Sequence, residues 1–142
     1  QETYEITGIL HDFDYEKYPN LEQHPYEGIK ILKAQNFPEN IIEAILGHGD
    51  HTNTPRITQM AKTLFAVDEL CGLVTALAKV RPTNFEGMTS KSIKKAMKKK
   101  DFAQAINRKD IEKGIQELQT DKDQHFQIII RALKNNAKEL GF

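Results

Sequence analysis

The chain has 142 residues, of which 39% are hydrophobic and 28% are charged, a balance that supports a packed core and excludes general disorder. No apolar run approaches the ~20 residues that span a bilayer, no signal peptide is visible, and the single cysteine excludes an internal disulfide bond. These features predict a cytoplasmic protein of one domain, or of one domain with a small appendage, and with no membrane partner.

The formal net charge is zero, but the charges are unevenly spread along the chain. Residues 1–75 hold 5 basic and 12 acidic side chains, a net charge of −7. Residues 76–142 hold 15 basic and 8 acidic side chains, a net charge of +7. This asymmetry points to a cation site in the first half and an anion site in the second.

Proline and glycine divide the first half into short helices. The predicted helices cover residues 3–10, 25–36 and 38–47, and the predicted loops cover residues 13–24 and 48–55. Pro25 suits the first position of the second helix, because the N–H group that proline lacks would be unpaired there in any case. Gly47 is expected to end the third helix, which is buried through its isoleucines.

The second half is also predicted to be helical. Its elements are a long helix (57–80), a loop (82–90), a short basic helix (92–99), a helix from about residue 107 and a last helix (122–140). Pro82 ends the long helix, and Gly141 suits the C-cap of the last one. No segment alternates with the period of two that strands require, so the predicted fold class is all-α, a helical bundle.

His11 and Asp12 form a polar pair at the end of the first apolar helix. Such a pair is poorly placed there unless a partner satisfies it. A cation near the helix end could bind one imidazole nitrogen and one carboxylate oxygen. The alternative is structural: a protonated His11 would interact favourably with the helix dipole, and Asp12 would cap the next turn.

Asp68 lies on the apolar side of the long helix. Its neighbours at helical spacing include Leu64, Phe65 and Cys71, so Asp68 is expected to be buried. A buried carboxylate is costly unless it is hydrogen-bonded, protonated or bound to a cation. The alternative to a metal ligand is a carboxylate satisfied by the backbone or by Thr75. Cys71 itself is interpreted as a small core residue.

Four of the five histidines fall within residues 11–51. His48 follows an apolar helix, as His11 does, and His24 adjoins the start of another helix. Because helix ends in a bundle often converge, His24 and His48 are predicted to share one pocket beside the His11-Asp12 pair, with His51 as the replacement for His48. The alternative is that these residues are surface histidines in loops.

Four segments, in this order and spacing, resemble the HD superfamily of metal-dependent phosphohydrolases. They are GILHDFDYE, HPYEG, AILGHGDH and LFAVDEL, and the resemblance covers roughly residues 4–81. The tail RPTNFEGMTSKSIKKAMKKKDFAQAINR is similar to one bacterial branch of uncharacterised HD-domain proteins. An HD pair followed by an aspartate in an apolar AVDEL helix is a much stronger signal than the HD pair alone.

The resemblance implies an all-α fold that holds one or two divalent metal ions. Mixed imidazole and carboxylate ligands suit Fe, Mn, Zn, Co or Ni. The implied ligands are an upstream histidine, His11, Asp12 and Asp68 for the first ion, and His24 with His48 or His51 for the second. The helix that would carry the upstream histidine has no counterpart in this chain, so we expect it to precede Gln1.

Asp14 and Glu16 stand where the nucleotide pyrophosphohydrolase branch of the superfamily has a glutamate–aspartate pair. By this resemblance, either carboxylate could act in catalysis by positioning a water molecule. Both could equally be charges of a loop.

Six lysines fall within ten residues that contain no acid: Lys91, Lys94, Lys95, Lys98, Lys99 and Lys100. One interpretation is a solvated helix surface. The other is a phosphate-binding wall in which Lys94 and Lys95 contact the substrate. Aromatic residues are sparse here and no nucleic-acid motif matches, which argues against nucleic acid as a partner.

These observations predict a metal-dependent phosphohydrolase that cleaves a small-molecule phosphomonoester or phosphodiester, with a nucleotide as the expected substrate. The alternative is a catalytically silent HD module that binds a metal, a phosphorylated ligand or a protein partner. Residues 1–81 would form the metal-binding core, and residues 82–142 a helical extension packed on it within one structural domain. The sequence is compatible with a monomer and with a homo-oligomer.

Overall fold

Seven α-helices and one 3₁₀ turn make up the fold in the computed structural model, which describes residues 1–142. No strand is present, so the all-α prediction is confirmed. None of the helices combines the length and apolar character needed to cross a membrane. The helices are α1 (Glu2–Leu10), α2 (Tyr26–Ala34), α3 (Glu39–Leu46), α4 (Gln59–Lys79), α5 (Ser90–Lys98), α6 (Arg108–Leu118) and α7 (Lys122–Asn135), and the 3₁₀ turn is Asp50–Thr52.

Contacts between residues divide the chain into two units, residues 1–65 and residues 66–142. The division falls within α4, which runs through it as one continuous helix. The division into a core of residues 1–81 and an extension of residues 82–142 within one structural domain stays a prediction. Each unit has its own apolar core.

The core of the first unit lies between α2, α3 and the start of α4. Ile29 and Leu32 are three residues apart on α2, and Ile41 and Ile45 are four apart on α3, so each pair lies on one helix face. The buried apolar residues of this core are Ile29, Leu32, Ile41, Ile42, Ala44, Ile45, Met60 and Ala61.

Local signals place three histidines of this unit at helix ends. α2 and α3 each begin directly after a proline, and these residues, Pro25 and Pro38, are the N-caps rather than the first helical positions. His24 therefore stands just before α2. His48 follows α3 and its glycine cap, and His11 is the C-cap of α1.

The core of the second unit is built from one face each of its helices. Its buried apolar residues are Leu70, Leu73, Val74, Ala78, Phe85, Met88, Ile93, Ala96, Ile111, Ile115, Phe126, Ile129 and Ile130. Asn107 and Asp121 cap α6 and α7, since each side chain accepts a backbone N–H bond from the first turn of its helix. His125 is buried, and its Nε2–H donates to the Ala66 carbonyl oxygen at 3.0 Å, which links α7 to α4.

The last helix is shorter than predicted. α7 ends at Asn135, and the side chain of Asn136 donates to the carbonyl oxygen of Ala132. The chain then turns so that the Phe142 ring packs against Phe85, with the ring centroids 4.7 Å apart. Gly141, with a φ of 80°, belongs to this turn and is not the cap of α7. The aromatic contact explains the difference, because the chain must leave the helix after Asn135 for the Phe142 ring to reach Phe85.

Candidate metal centre

Three helix ends of the first unit bring His11, His24 and His48 around the carboxylate of Asp12. The Nε2 atoms of His24 and His48 lie 3.1 Å apart. Asp12 Oδ1 lies 3.3 Å from His24 Nε2 and 3.5 Å from His48 Nε2. Asp12 Oδ2 lies 3.4 Å from His11 Nε2. One carboxylate therefore faces three imidazole nitrogens, and we call these four residues the histidine cluster.

His24 and His48 are the buried members of the cluster, His11 is partly exposed, and Asp12 is the most exposed. His24 is 3% exposed and His48 is 9% exposed. The Asp12 side chain is 49% exposed, so the carboxylate forms the solvent-facing side of the cluster. A molecule from solvent would reach the cluster past this carboxylate.

The second ring nitrogen of each histidine is held by an oxygen atom. Nδ1 of His11 lies 2.8 Å from the Gly8 carbonyl oxygen, and Nδ1 of His48 lies 2.5 Å from that of Ile45. Both are carbonyls three residues back, in the last turn of a helix, where the regular helical bonds end; that of Ile45 also accepts the backbone N–H of His48. Because these oxygens only accept, each Nδ1 carries the proton, and the lone pair of each neutral ring is on Nε2.

The Nδ1 atom of His24 is held by the carboxylate of Asp14 instead of a carbonyl oxygen. Its Oδ1 accepts the Nδ1–H of His24 at 2.8 Å, and its Oδ2 accepts the backbone N–H of Gly28 at 2.8 Å. Asp14 is only 4% exposed, so it lies behind His24 and orients the ring. A carboxylate that holds the far nitrogen of a histidine is a common second partner in metal sites. Glu16, the other candidate for positioning water, is exposed in the loop.

Gly28 is a site residue that the sequence reasoning missed. A Cβ atom there would lie 2.8 Å from Asp14 Cγ and 2.9 Å from a ring carbon of Phe13. Only glycine therefore lets the backbone of α2 approach the Asp14 carboxylate this closely. The available signal was the glycine of HPYEG, four residues after His24.

His51 lies outside the histidine cluster. Its Nε2–H donates to the backbone carbonyl oxygen of His24 at 3.0 Å. Of the two alternatives for this position, the structure therefore brings His48 to the cluster and uses His51 to hold the backbone beside it.

The electrostatics of the histidine cluster favour an ionised Asp12. Burial raises the pKa of its carboxyl, but when the imidazoles are protonated, a hydrogen bond from His48 and the positive charges of the three rings outweigh this and lower the pKa overall. Two Nε2 atoms 3.1 Å apart repel each other if both present lone pairs. Either a proton on one ring or a metal cation satisfies them, and a cation would satisfy all the facing atoms at once.

The other predicted site residues belong to the second unit. Asp68 lies in α4 and is half-buried, so it is less enclosed than the apolar pattern predicted. Lys94 forms an ion pair with Asp123 of α7 at 2.6 Å, and Lys95 is exposed on α5. A metal-ligand role for Asp68 and phosphate contacts for the two lysines stay predictions.

Cys71, also in the second unit, has the character of a core residue. Burial, with a smaller contribution from the negative charge of Asp68, raises the pKa of its thiol to about 11. The thiol is therefore protonated and weakly nucleophilic at neutral pH.

The histidine cluster could thus hold a metal ion within the first unit. The ligating atoms of Asp12, His24 and His48 lie within 4.8 Å of one another, and His11 adds a third imidazole. Imidazole with carboxylate suits zinc and first-row transition metals. Comparisons with protein-family models, with curated proteins and with solved structures gave no match to this chain.

Proposed function

We propose that the chain is a metal-dependent phosphohydrolase of the HD superfamily. The observation that carries the proposal is the orientation of His11, His24 and His48, whose Nδ1 atoms are all held and whose Nε2 atoms all face Asp12. Three oriented imidazoles around one ionised carboxylate form a ready-made donor set for a divalent ion. The HDFDYE, HPYEG and GHGDH segments supply these residues in the order that the resemblance implies.

A divalent ion bound here would polarise a phosphoryl oxygen and lower the pKa of a bound water. The protein contributes orientation, because Asp14 and the carbonyl oxygens of Gly8 and Ile45 hold the rings in place. It also contributes access, because Asp12 is the exposed member of the set. A phosphate ester could approach on that side while His24 and His48 remain enclosed.

The proposed substrate is a small phosphomonoester or phosphodiester, with a nucleotide as the first candidate. Asp68 is proposed as a further metal ligand, as the resemblance implies. Its contribution can be measured directly, since an Asp68→Asn variant should bind less metal than the unmodified chain if the carboxylate is a ligand.

The test is metal content followed by a hydrolysis screen. The chain is stripped with a chelator, loaded separately with Fe, Mn, Zn, Co or Ni, and analysed for bound metal by mass spectrometry. Each loaded form is then incubated with a panel of nucleotides, sugar phosphates and phosphodiesters. We expect at least one ion bound per chain and release of phosphate, or of a phosphomonoester from a diester, by at least one loaded form.

Two matched variants make the result specific. His48→Gln removes a member of the histidine cluster, whereas His51→Gln alters a neighbouring histidine outside it and keeps an N–H donor for the His24 carbonyl. We expect His48→Gln to lose metal and hydrolysis, and His51→Gln to retain both. Bound metal without turnover of any ester would favour the silent binding module, and no bound metal would overturn the metal centre.

A further inference from the structure

The second unit contains a cavity that the proposed metal centre does not use. It has a volume of about 350 Å³ and is lined by the C-terminal end of α4, by α5 and by Phe102. This volume falls within the range of about 300–1,000 Å³ that is usual for small-molecule sites. All of its lining residues belong to residues 77–102.

The lining combines an apolar surface with basic groups. Leu77, Ala96 and Phe102 are among its apolar residues, and Arg81, Lys95 and Lys99 are its cationic ones, whereas no acidic residue lines it. Lys95 belongs to α5 and Lys99 is its C-cap, and both side chains line the cavity. Neither forms an ion pair in the structure, in contrast to Lys94, which contacts Asp123.

Two parts of this lining are held in place by hydrogen bonds. Arg81 donates from Nε to the Asn84 carbonyl oxygen at 3.0 Å and from Nη2 to that of Glu86 at 2.8 Å. Its guanidinium group is therefore fixed, and its Nη1 donors are not used by these two bonds. The loop that carries Phe102 is fixed by Arg108, which donates to the Phe102 carbonyl oxygen. These held parts of the lining lose less entropy when a ligand binds.

We propose that this cavity binds a small organic anion with an aromatic body. The aromatic body would pack against Phe102 and Leu77, and its carboxylate, sulfonate or phosphate group would contact Lys95, Lys99 and Arg81. The apolar surface would provide most of the contact area, and the three cationic side chains would favour an anionic ligand over a neutral one. The proposal does not depend on the metal centre, since every residue in it lies in the second unit.

The experiment is a nuclear magnetic resonance titration of the full chain with 1-naphthoate, which contains no bond that a phosphohydrolase cleaves. Inorganic sulfate and neutral 1-naphthol serve as comparison probes for charge alone and for the aromatic body alone. We expect naphthoate to shift amide signals of residues 77–81 and 92–102, and to bind more tightly than either comparison probe. Added salt should weaken binding, because the charged groups lie at the surface.

Paired lysine variants isolate the role of the cavity. Lys95→Ala with Lys99→Ala should weaken naphthoate binding by roughly tenfold. Lys91→Ala with Lys98→Ala removes the same charge from the same helix outside the cavity, and should change binding by less than about twofold. Circular dichroism checks that both variants keep their helices, and a Phe102→Leu variant tests the aromatic contact separately.

Three outcomes would overturn the proposal. They are the absence of any shift with naphthoate at millimolar concentration, equal binding of sulfate and naphthoate, and equal weakening by the two lysine pairs. The last two would indicate a general anionic attraction to the basic helix.

Discussion

Asp14 determines how His24 presents its Nε2 atom to the histidine cluster. Both of its oxygens are used, one by the His24 ring and one by the Gly28 backbone, and it is almost fully buried. Partners of this kind set the tautomer and the orientation of a metal-binding imidazole. Asp14 is therefore expected to affect metal binding by orienting His24, and not by binding the metal itself.

We predict that Asp14→Asn lowers metal affinity by roughly 10- to 100-fold while the chain stays folded. The amide is similar in size but offers only one acceptor oxygen for two donors. Competition with a chromophoric chelator measures the affinity, and Glu16→Gln is the control because Glu16 is exposed in the same loop. Equal affinity of the two variants would show that Asp14 does not orient His24 for metal.

Cys71 gives a prediction for the pH dependence of stability. The pKa of its thiol is raised to about 11 in the folded chain from an ordinary value of 9.0. A group with a raised pKa in the folded state contributes its full stability below the unfolded pKa, and this is lost as the pH rises towards the folded pKa. We therefore expect the free energy of unfolding to fall between pH 9 and pH 11, by up to about 2–3 kcal/mol from this group.

Urea denaturation at several pH values tests this contribution against a Cys71→Ala variant. The alanine variant lacks the thiol, so its stability should fall less steeply over the same pH range. Other groups that titrate there, such as lysines and tyrosines, are common to both chains and cancel in the difference. Identical pH profiles would contradict a buried thiol with a raised pKa.

At the level of helices, α2 must approach the loop after α1 closely for Asp14 to reach its backbone. Gly28 is buried, and a Cβ atom there would lie under 3.0 Å from the Asp14 carboxylate and from Phe13. In α1, Gly8 has no heavy atom within 4 Å of the corresponding position. The two glycines thus lie in helices of the same unit, but a side chain has no room at Gly28 and open space at Gly8.

We predict that Gly28→Ala destabilises the chain by about 1–3 kcal/mol, because either the Asp14 carboxylate or the backbone must move. Gly8→Ala should instead stabilise it slightly, by up to ~1 kcal/mol, since alanine favours the helix and meets no obstacle. Urea denaturation of both variants gives the two values. A stabilising Gly28→Ala would mean that α2 and the loop are not packed as closely as described.

At the scale of the whole molecule, all four members of the histidine cluster come from residues 11–48 and thus from one unit. A metal bound there stabilises only the folded form of that unit. Metal binding should therefore raise the free energy of unfolding, a quantity that can be measured before any substrate is known.

We predict that a saturating divalent ion stabilises the chain against urea, by about 2.7 kcal/mol when the free ion is 100 times its dissociation constant. A chelator should reverse the effect. His48→Gln should abolish the stabilisation and His51→Gln should retain it, because only His48 belongs to the histidine cluster. An equal increase in the stability of both variants on adding the ion would show that the metal binds outside the histidine cluster.

The sequence by itself determined the elements that depend on local interactions. Helical spacing of apolar residues, together with Pro25, Pro38 and Gly47, predicted the helices of the first unit to within a few residues. It also predicted that His11, His24 and His48 lie at helix ends, because prolines and glycines act on their immediate neighbours. The resemblance of the segments that carry them then suggested a metal.

Only the tertiary structure decided the features that depend on contacts between distant residues. Asp14 was predicted as a catalytic candidate or a loop charge, and its two partners are 10 and 14 residues away. The choice between His48 and His51 depends on which ring faces His24, and no sequence spacing records that. The early end of α7 depends on the contact of Phe142 with Phe85, since the apolar stripe by itself favoured a longer helix. Such pairings are decided by packing and hydrogen bonding between elements, which a linear pattern does not contain.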